Sequence, residues 1–238
     1  GEGGINNYAN MVAGGGPMRL DGQGLNNYGG LVLGQQAGSD VYSNGGGGPY
    51  NPAVISGTGS LNNMGGVISG QGSILSDFYN AGTVAVQNGG IHINRNFSND
   101  GLIQLARYTS VLSGGEIANN GKIEGRGTVA NDVINEGVIE AREGTLTLSG
   151  EIANKSGGAI MSGRGTQVLA LQGIDQNGGL ITLNDGTFDN NGNAMTNTAE
   201  GRITGHGVLN TGGLDNEGKV ILAGDQSTIN GEVANKAD

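Results

Sequence analysis

One short unit recurs along almost the whole chain, and its period constrains the fold more than any other feature. In this unit a glycine is followed two positions later by isoleucine or valine, and an asparagine often stands two positions before the glycine. Two consecutive copies occupy residues 116–149. The isoleucine and valine positions form this series: Val32, Ile68, Val84, Ile103, Ile123, Ile139, Ile160, Ile181, Ile203 and Val220. Self-similarity of this kind is typical of repeat architectures.

The spacing of the units indicates one rung of structure per unit. After a first interval of 36 residues, the units follow one another every 16 to 22 residues. The long first interval predicts either one rung that carries an insertion or two separate rungs.

Composition excludes the main alternatives to a β-repeat. Glycine supplies 51 of the 238 residues and proline 3, without a Gly-X-Y period, so collagen is excluded. Glycine inside a helix costs about 1 kcal/mol relative to alanine, so a helical fold is excluded as well. A disordered chain has no need to place β-branched residues in phase, and the regular series therefore argues against disorder.

The sequence therefore predicts an all-β fold, a parallel β-helix (β-solenoid) with roughly 16 to 22 residues per rung and a right-handed sense. Stacked rungs would align the isoleucine and valine series into one narrow core. Asparagines at one corner would stack as a hydrogen-bonded ladder. The predicted ladder consists of Asn80, Asn99, Asn119, Asn135, Asn177 and Asn216.

The predicted organisation is one continuous domain with an irregular start. Residues 1–60 would form irregular rungs with a Gly/Pro loop at residues 43–52, and residues 61–238 would form regular rungs. Tyr42 and Tyr50 flank the loop's glycines, so the loop is either a flexible insertion or a binding loop. The chain stops in the middle of a unit, which predicts either a segment of a longer protein or rods that stack end to end.

Charge and cysteine content narrow the partners and the compartment. The net charge is −10, and phosphate binding needs clustered Lys and Arg, which disfavours nucleic acid and anionic membranes as partners. No apolar stretch is long enough to insert in a membrane. An acidic chain without cysteine fits an extracellular bacterial surface.

Residues with catalytic or ligand chemistry are few. His92 and His206 are the only histidines and lie many rungs apart, so neither a triad nor a histidine metal site is expected. Asp185 and Asp189 are the closest approach to a cation site, although an Asx-rich turn is the alternative interpretation. We expect no cofactor and no catalytic residue.

Tyrosines are confined to the first half of the chain, and Tyr8 and Tyr28 share one position of a repeated Asn-Asn-Tyr motif. The two rings are therefore expected to stack, either for structure or as a platform for a sugar ring.

Several units resemble the repeats of filamentous haemagglutinin-type adhesins and related autotransporter passenger regions. The resemblance rests on residues 214–224 (LDNEGKVILAG), 134–139 and 97–103, and covers about residues 60–238. It implies a right-handed β-helix that is exported to the cell surface as an adhesin, matrix scaffold or fibre.

Together these observations predict a non-enzymatic extracellular structural rod: an adhesin stalk, a surface-layer or matrix scaffold, or a self-assembling fibre. Its expected partners are further copies of itself, a glycan or a cell-surface molecule. The alternative is a carbohydrate-binding or polysaccharide-cleaving β-helix, as in phage tailspikes and secreted lyases.

Overall fold

The computed structural model describes residues 4–14, 17–34, 52–87, 89–224 and 226–236. All regular structure in these residues is β-strand, and every strand pair is parallel. The prediction of an all-β parallel solenoid is confirmed, with about ten turns.

The strands are short at the start of the chain and longer towards its end. The first strands are β1 (Ile5–Asn7), β2 (Asn10–Ala13), β3 (Pro17–Arg19), β4 (Leu25–Asn27), β5 (Gly30–Leu33), β6 (Ala53–Ser56), β7 (Leu61–Asn63), β8 (Val67–Gly70) and β9 (Gly72–Ile74). Next come β10 (Phe78–Asn80), β11 (Thr83–Val86), β12 (Gly89–Ile93), β13 (Phe97–Asn99), β14 (Leu102–Leu105), β15 (Ser110–Gly114), β16 (Ile117–Asn119), β17 (Lys122–Val129) and β18 (Val133–Asn135). The last are β19 (Val138–Leu148), β20 (Ile152–Asn154), β21 (Ala159–Gly163), β22 (Gln167–Ala170), β23 (Gln176–Asn177), β24 (Leu180–Asp189), β25 (Ala194–Asn197), β26 (Arg202–Asn216), β27 (Lys219–Leu222) and β28 (Thr228–Asn235).

Each turn contributes to three columns of hydrogen-bonded strands, which we name face 1, face 2 and face 3. β13, β14 and β15 are one such turn, in that order, and β16 begins the next turn on face 1. Face 1 includes β1, β4, β7, β10, β13, β16, β18, β20, β23 and β25. Longer strands turn a corner: the first part of β19 lies on face 2 and its last part on face 3.

The long first interval is a single turn that carries an insertion. Leu25 pairs with Leu61 on face 1, and Gly30 pairs with Val67 on face 2. No second strand therefore intervenes between them in either column. Most of the predicted loop at residues 43–52 lies outside the described residues, and so do Tyr42, which precedes the loop, and Tyr50. The stack passes residue 60 without a break, because β4 pairs with β7.

The core is the interior of the coil, filled by alternate residues of every strand. In β17 half-buried and buried positions alternate, which places every second side chain inside, and β24 alternates in the same way on both sides of the exposed pair Asn184 and Asp185. The predicted series forms one register column on face 2 from Ile68 to Val220. Ile139 is fully buried. Val220 is only half-buried because it lies in the last turn described on this face.

Val32 does not belong to this column. Its neighbour Leu31 is fully buried and pairs with Ile68, whereas Val32 pairs with Val12 and Ser69 and points outward. The chain offers two glycines here, and Gly29, not Gly30, occupies the position of the repeat glycine. The residue two positions after Gly29 is Leu31, which belongs to the buried column, whereas the residue two positions after Gly30 is Val32, which does not.

The repeat glycine is required because adjacent turns approach each other closely at that corner. A Cβ added at Gly121 would overlap the carbonyl oxygen of Gly101 in the preceding turn. Gly121 also donates its N–H to the carbonyl of Asn99, at 2.8 Å. A side chain would break this approach, so the glycine series follows from the backbone geometry.

Candidate functional site

A continuous asparagine ladder runs inside the corner between faces 1 and 2. Each Nδ2 donates to the Oδ1 of the asparagine in the next turn, over distances of 2.6 to 2.9 Å. Its members are Asn7, Asn27, Asn63, Asn80, Asn99, Asn119, Asn135, Asn154, Asn177, Asn197, Asn216 and Asn235. All six predicted asparagines lie in it.

The same side chains also fasten the backbone. Asn135, for example, donates its second amide hydrogen to the carbonyl of Ala159, at 3.3 Å, and its own Oδ1 accepts from Asn119. Asn135 is fully buried, and both of its polar atoms have partners. The ladder has a direction, because every donor points towards the carboxyl-terminal turn.

Six ladder residues were not predicted: Asn7, Asn154, Asn197 and Asn235 have no glycine two positions later, and Asn27 and Asn63 precede glycine pairs in which the second glycine was counted. In Asn154 and Asn197 the repeat glycine comes four positions later, at Gly158 and Gly201. A better signal was the buried apolar residue two positions before the asparagine, as with Ile152 before Asn154.

Face 2 carries a compact cluster of charged groups. Lys122 Nζ lies 2.8 Å from Glu124 Oε2 and 2.6 Å from Glu140 Oε2. Arg142 reaches the same two carboxylates, at 2.9 and 3.1 Å. Partial burial alone would raise the pKa of Glu140, but hydrogen bonds from Lys122 and Arg142 outweigh it, so this pKa falls below its ordinary value. The cluster is balanced in charge and stabilises the stack of two turns.

Face 1 carries a groove in the middle of the rod. Its volume is about 760 Å³, and acidic side chains line both of its edges. Glu116, Asp132 and Glu151 line one edge, and Glu136 and Glu200 lie on the other side of the strands. These acidic residues could not be predicted from the sequence, because they come to lie next to one another only through the register of successive turns.

Exposed aromatic rings occur at the amino-terminal turns. Tyr8 and Tyr28 stack with centroids 4.9 Å apart and planes inclined by 12°. Both rings are well exposed, at 72% and 42%. Tyr79 lies elsewhere on face 1, where its hydroxyl donates to Asp100 Oδ2 at 2.6 Å and lowers the pKa of that carboxyl group.

The two aspartates suggested for calcium have different hydrogen-bond and ion-pair partners. Asp185 lies where β24 turns from face 2 to face 3, with a φ of 62°, and Asp189 ends the strand on face 3. Asp185 contacts His206, at 3.0 Å, while Asp189 accepts hydrogen bonds from the Asn191 backbone and from Gln167. His92, the other histidine, lies beside Ser113 at 3.1 Å.

Within the described ranges, no group of three or more His, Cys, Asp or Glu side chains is arranged to hold a metal ion. The same residues include no helix with the length and apolarity needed to cross a membrane.

Comparison with known proteins gives no relative. No protein-family model, no curated protein and no solved structure matches this chain. The geometry of the fold and its surfaces therefore carries the functional argument.

Proposed function

We propose that this chain is a non-enzymatic structural rod that works outside the cell, as an adhesin stalk, a surface-layer or matrix scaffold, or a fibre. The observation that carries the proposal is the unbroken asparagine ladder from Asn7 to Asn235, beside an equally continuous apolar core. Each turn is fixed to the next by buried hydrogen bonds as well as by packing. Such a stack forms a long and stiff rod without a metal ion or a disulfide bond.

The extracellular bacterial setting is supported by composition and by the resemblance of the repeats to haemagglutinin-type adhesins. A net charge of −10 favours solubility in an exposed rod, and the absence of cysteine is compatible with an oxidising environment. About ten turns at roughly 4.8 Å give a rod about 50 Å long.

The direction of the ladder sets a condition for any turn that extends the rod. Asn235 accepts from Asn216, and its own Nδ2 donates to no described residue. A further turn, from the same protein or from another copy, must offer an acceptor to that donor. End-to-end association, which we include in the proposal, would therefore be head to tail.

Immunogold electron microscopy of the source bacterium tests the proposal. Antibodies against the rod should label intact, unpermeabilised cells, and protease added to those cells should remove the label. Label that appears only after permeabilisation would contradict an extracellular role.

The second candidate is glycan binding, which the exposed stack of Tyr8 and Tyr28 favours. Aromatic faces of this kind pack against sugar rings. A glycan array probed with the wild-type protein and with Tyr28→Ala separates the candidates: binding that disappears in the variant supports a glycan partner. Tyr108→Ala, at the most exposed of the described tyrosines and away from the stack, is the control.

A further inference from the structure

The groove on face 1 has the features of a docking surface for a cationic chain. It extends along the rod axis, since its lining residues come from successive turns of face 1. A second hollow of about 520 Å³ continues it towards the carboxyl end, and Asp175 lines both. The combined surface is therefore a track several turns long and one short strand wide.

One edge of the groove stacks carboxylates in consecutive turns. Ile117 donates its N–H to the carbonyl of Asp132, and Val133 donates to the carbonyl of Glu151, which places Glu116, Asp132 and Glu151 one above the other. Successive turns are about 4.8 Å apart. Like charges in register on neighbouring strands repel each other, and a cation that lies against this edge would reduce the repulsion.

The carboxylates of the groove have no cationic partner within the described part of the chain. None of Glu116, Asp132, Glu151, Asp175 and Glu200 takes part in an ion pair there. This differs from face 2 of the same turns, where Lys122 and Arg142 neutralise both glutamates. Lys155 is the one basic side chain among the groove residues. The groove is thus lined by several carboxylates that form no ion pair with a described residue.

Part of the floor of the groove is apolar, and Gln176 continues the same column in the following turn. Ile134 and Ala153 are half-buried, point outward between the two edges and lie in register on adjacent turns. Lysine and arginine bury their aliphatic stems on surfaces of this kind while the charged ends reach polar groups. An apolar floor between acidic edges therefore fits a long cationic side chain better than a compact metal ion.

We propose that this groove docks an extended lysine- or arginine-rich peptide segment that lies along the rod axis. Its aliphatic stems pack on Ile134 and Ala153, and its charged ends pair with the carboxylates at the two edges. The inference goes beyond the structural role and does not depend on where the rod is located. A scaffold with such a track would recruit a basic partner protein along its side.

The test measures binding of a fluorescent oligolysine peptide of about eight residues, which when extended spans about five turns. Fluorescence anisotropy at low salt gives the dissociation constant. The triple variant Glu116→Gln, Asp132→Asn, Glu151→Gln should bind about tenfold more weakly, because three exposed ion pairs are lost. The affinity of the wild-type protein should fall as salt is added.

The matched control removes the same number of charges elsewhere. Asp21→Asn, Glu143→Gln and Asp185→Asn change exposed acids that do not line the groove. This control should keep its affinity within about twofold, since the carboxylates of the groove are intact although its net charge equals that of the groove variant. Circular dichroism verifies that both triple variants are folded.

Two results would overturn the inference. Equal losses in the two triple variants would mean that oligolysine responds only to the net charge of the rod. Spermine binding as tightly as oligolysine, with no effect of Ile134→Ser on either ligand, would mean that the groove attracts small polyamines and does not dock a peptide. Loss of oligolysine affinity in Ile134→Ser would support packing of the side-chain stems on the floor.

Discussion

At the scale of single residues, the interior of this rod depends on polar side chains as much as on apolar ones. Asn119, Asn135 and Asn154 are buried, and each is a donor to one neighbour and an acceptor from the other. A buried amide that loses its partner pays the full cost of desolvation. The ladder therefore fixes the register of each turn on the next.

Replacing one ladder residue should destabilise the protein strongly. In Asn135→Ala the Oδ1 of Asn154 loses its donor and the amide of Asn119 loses its acceptor in the ladder. We expect a loss of about 2 kcal/mol or more in the free energy of unfolding, measured by urea denaturation. The exposed Asn120→Ala is the control and should cost less than about 0.5 kcal/mol. Equal effects would contradict a buried ladder.

The repeat glycine should tolerate no side chain. Gly121→Ala places a methyl group against the carbonyl of Gly101, and we expect a loss of about 1–3 kcal/mol as the turns are forced apart. At Gly90 the nearest atom to an added Cβ is 3.5 Å away, so Gly90→Ala should be nearly neutral. Thermal melting of the two variants compares them, and a neutral Gly121→Ala would contradict the close approach.

The sequence predicted residues whose role repeats in every turn, and it failed where the repeat is irregular. Ile139 could be placed because a β-branched residue at constant phase must face the same side of the coil. Val32 was misplaced because the pair Gly29–Gly30 offers two phases. The groove could not be predicted, since Asp132 and Glu151 are 19 positions apart in sequence and only the register brings them together.

At the scale of elements, faces 1 and 2 of the same turns differ in whether their carboxylates form ion pairs. β17 and β19 bring together Lys122, Glu124, Glu140 and Arg142, whose charges compensate each other. The neighbouring strands β16, β18 and β20 lie beside Glu116, Asp132 and Glu151, which form no ion pair with a described residue. The free energy of unfolding should therefore depend on pH through the ionisation of Glu140 on face 2.

The pKa of Glu140 is lower in the folded protein than its ordinary value of 4.5. A depressed pKa means that the ionised carboxylate stabilises the fold at pH values above 4.5, and that this contribution disappears as pH falls through the lower folded pKa. We expect Glu140→Gln to cost up to about 1 kcal/mol at pH 7. The cost should vanish under acid conditions below the folded pKa.

Urea denaturation of wild type and Glu140→Gln across this pH range measures the difference. Glu143→Gln, at an exposed glutamate of the same strand, serves as the control and should cost little stability at pH 7. A difference for Glu140→Gln that grows on acidification would contradict the direction of the pKa shift.

At the scale of the whole molecule, stability is distributed along one dimension, because each turn contacts mainly its two neighbours. A defect in a central turn should therefore divide the rod. Ile139→Asp buries an unpaired charge in the core, and we expect a loss of about 3 kcal/mol or more. Val138→Asp, the half-buried outward neighbour on β19, should cost much less in the same urea titration. Similar losses would contradict the assignment of the inner column.

Hydrogen exchange of the asparagine side-chain amides, followed by NMR, tests whether one unbroken ladder joins every turn into a single rod. The buried ladder amides from Asn27 to Asn197 should be strongly protected, while those of the exposed Asn120 and Asn191 should exchange quickly. Side-chain amides that all exchange at similar fast rates, or protection that stops partway along the series, would contradict an unbroken ladder.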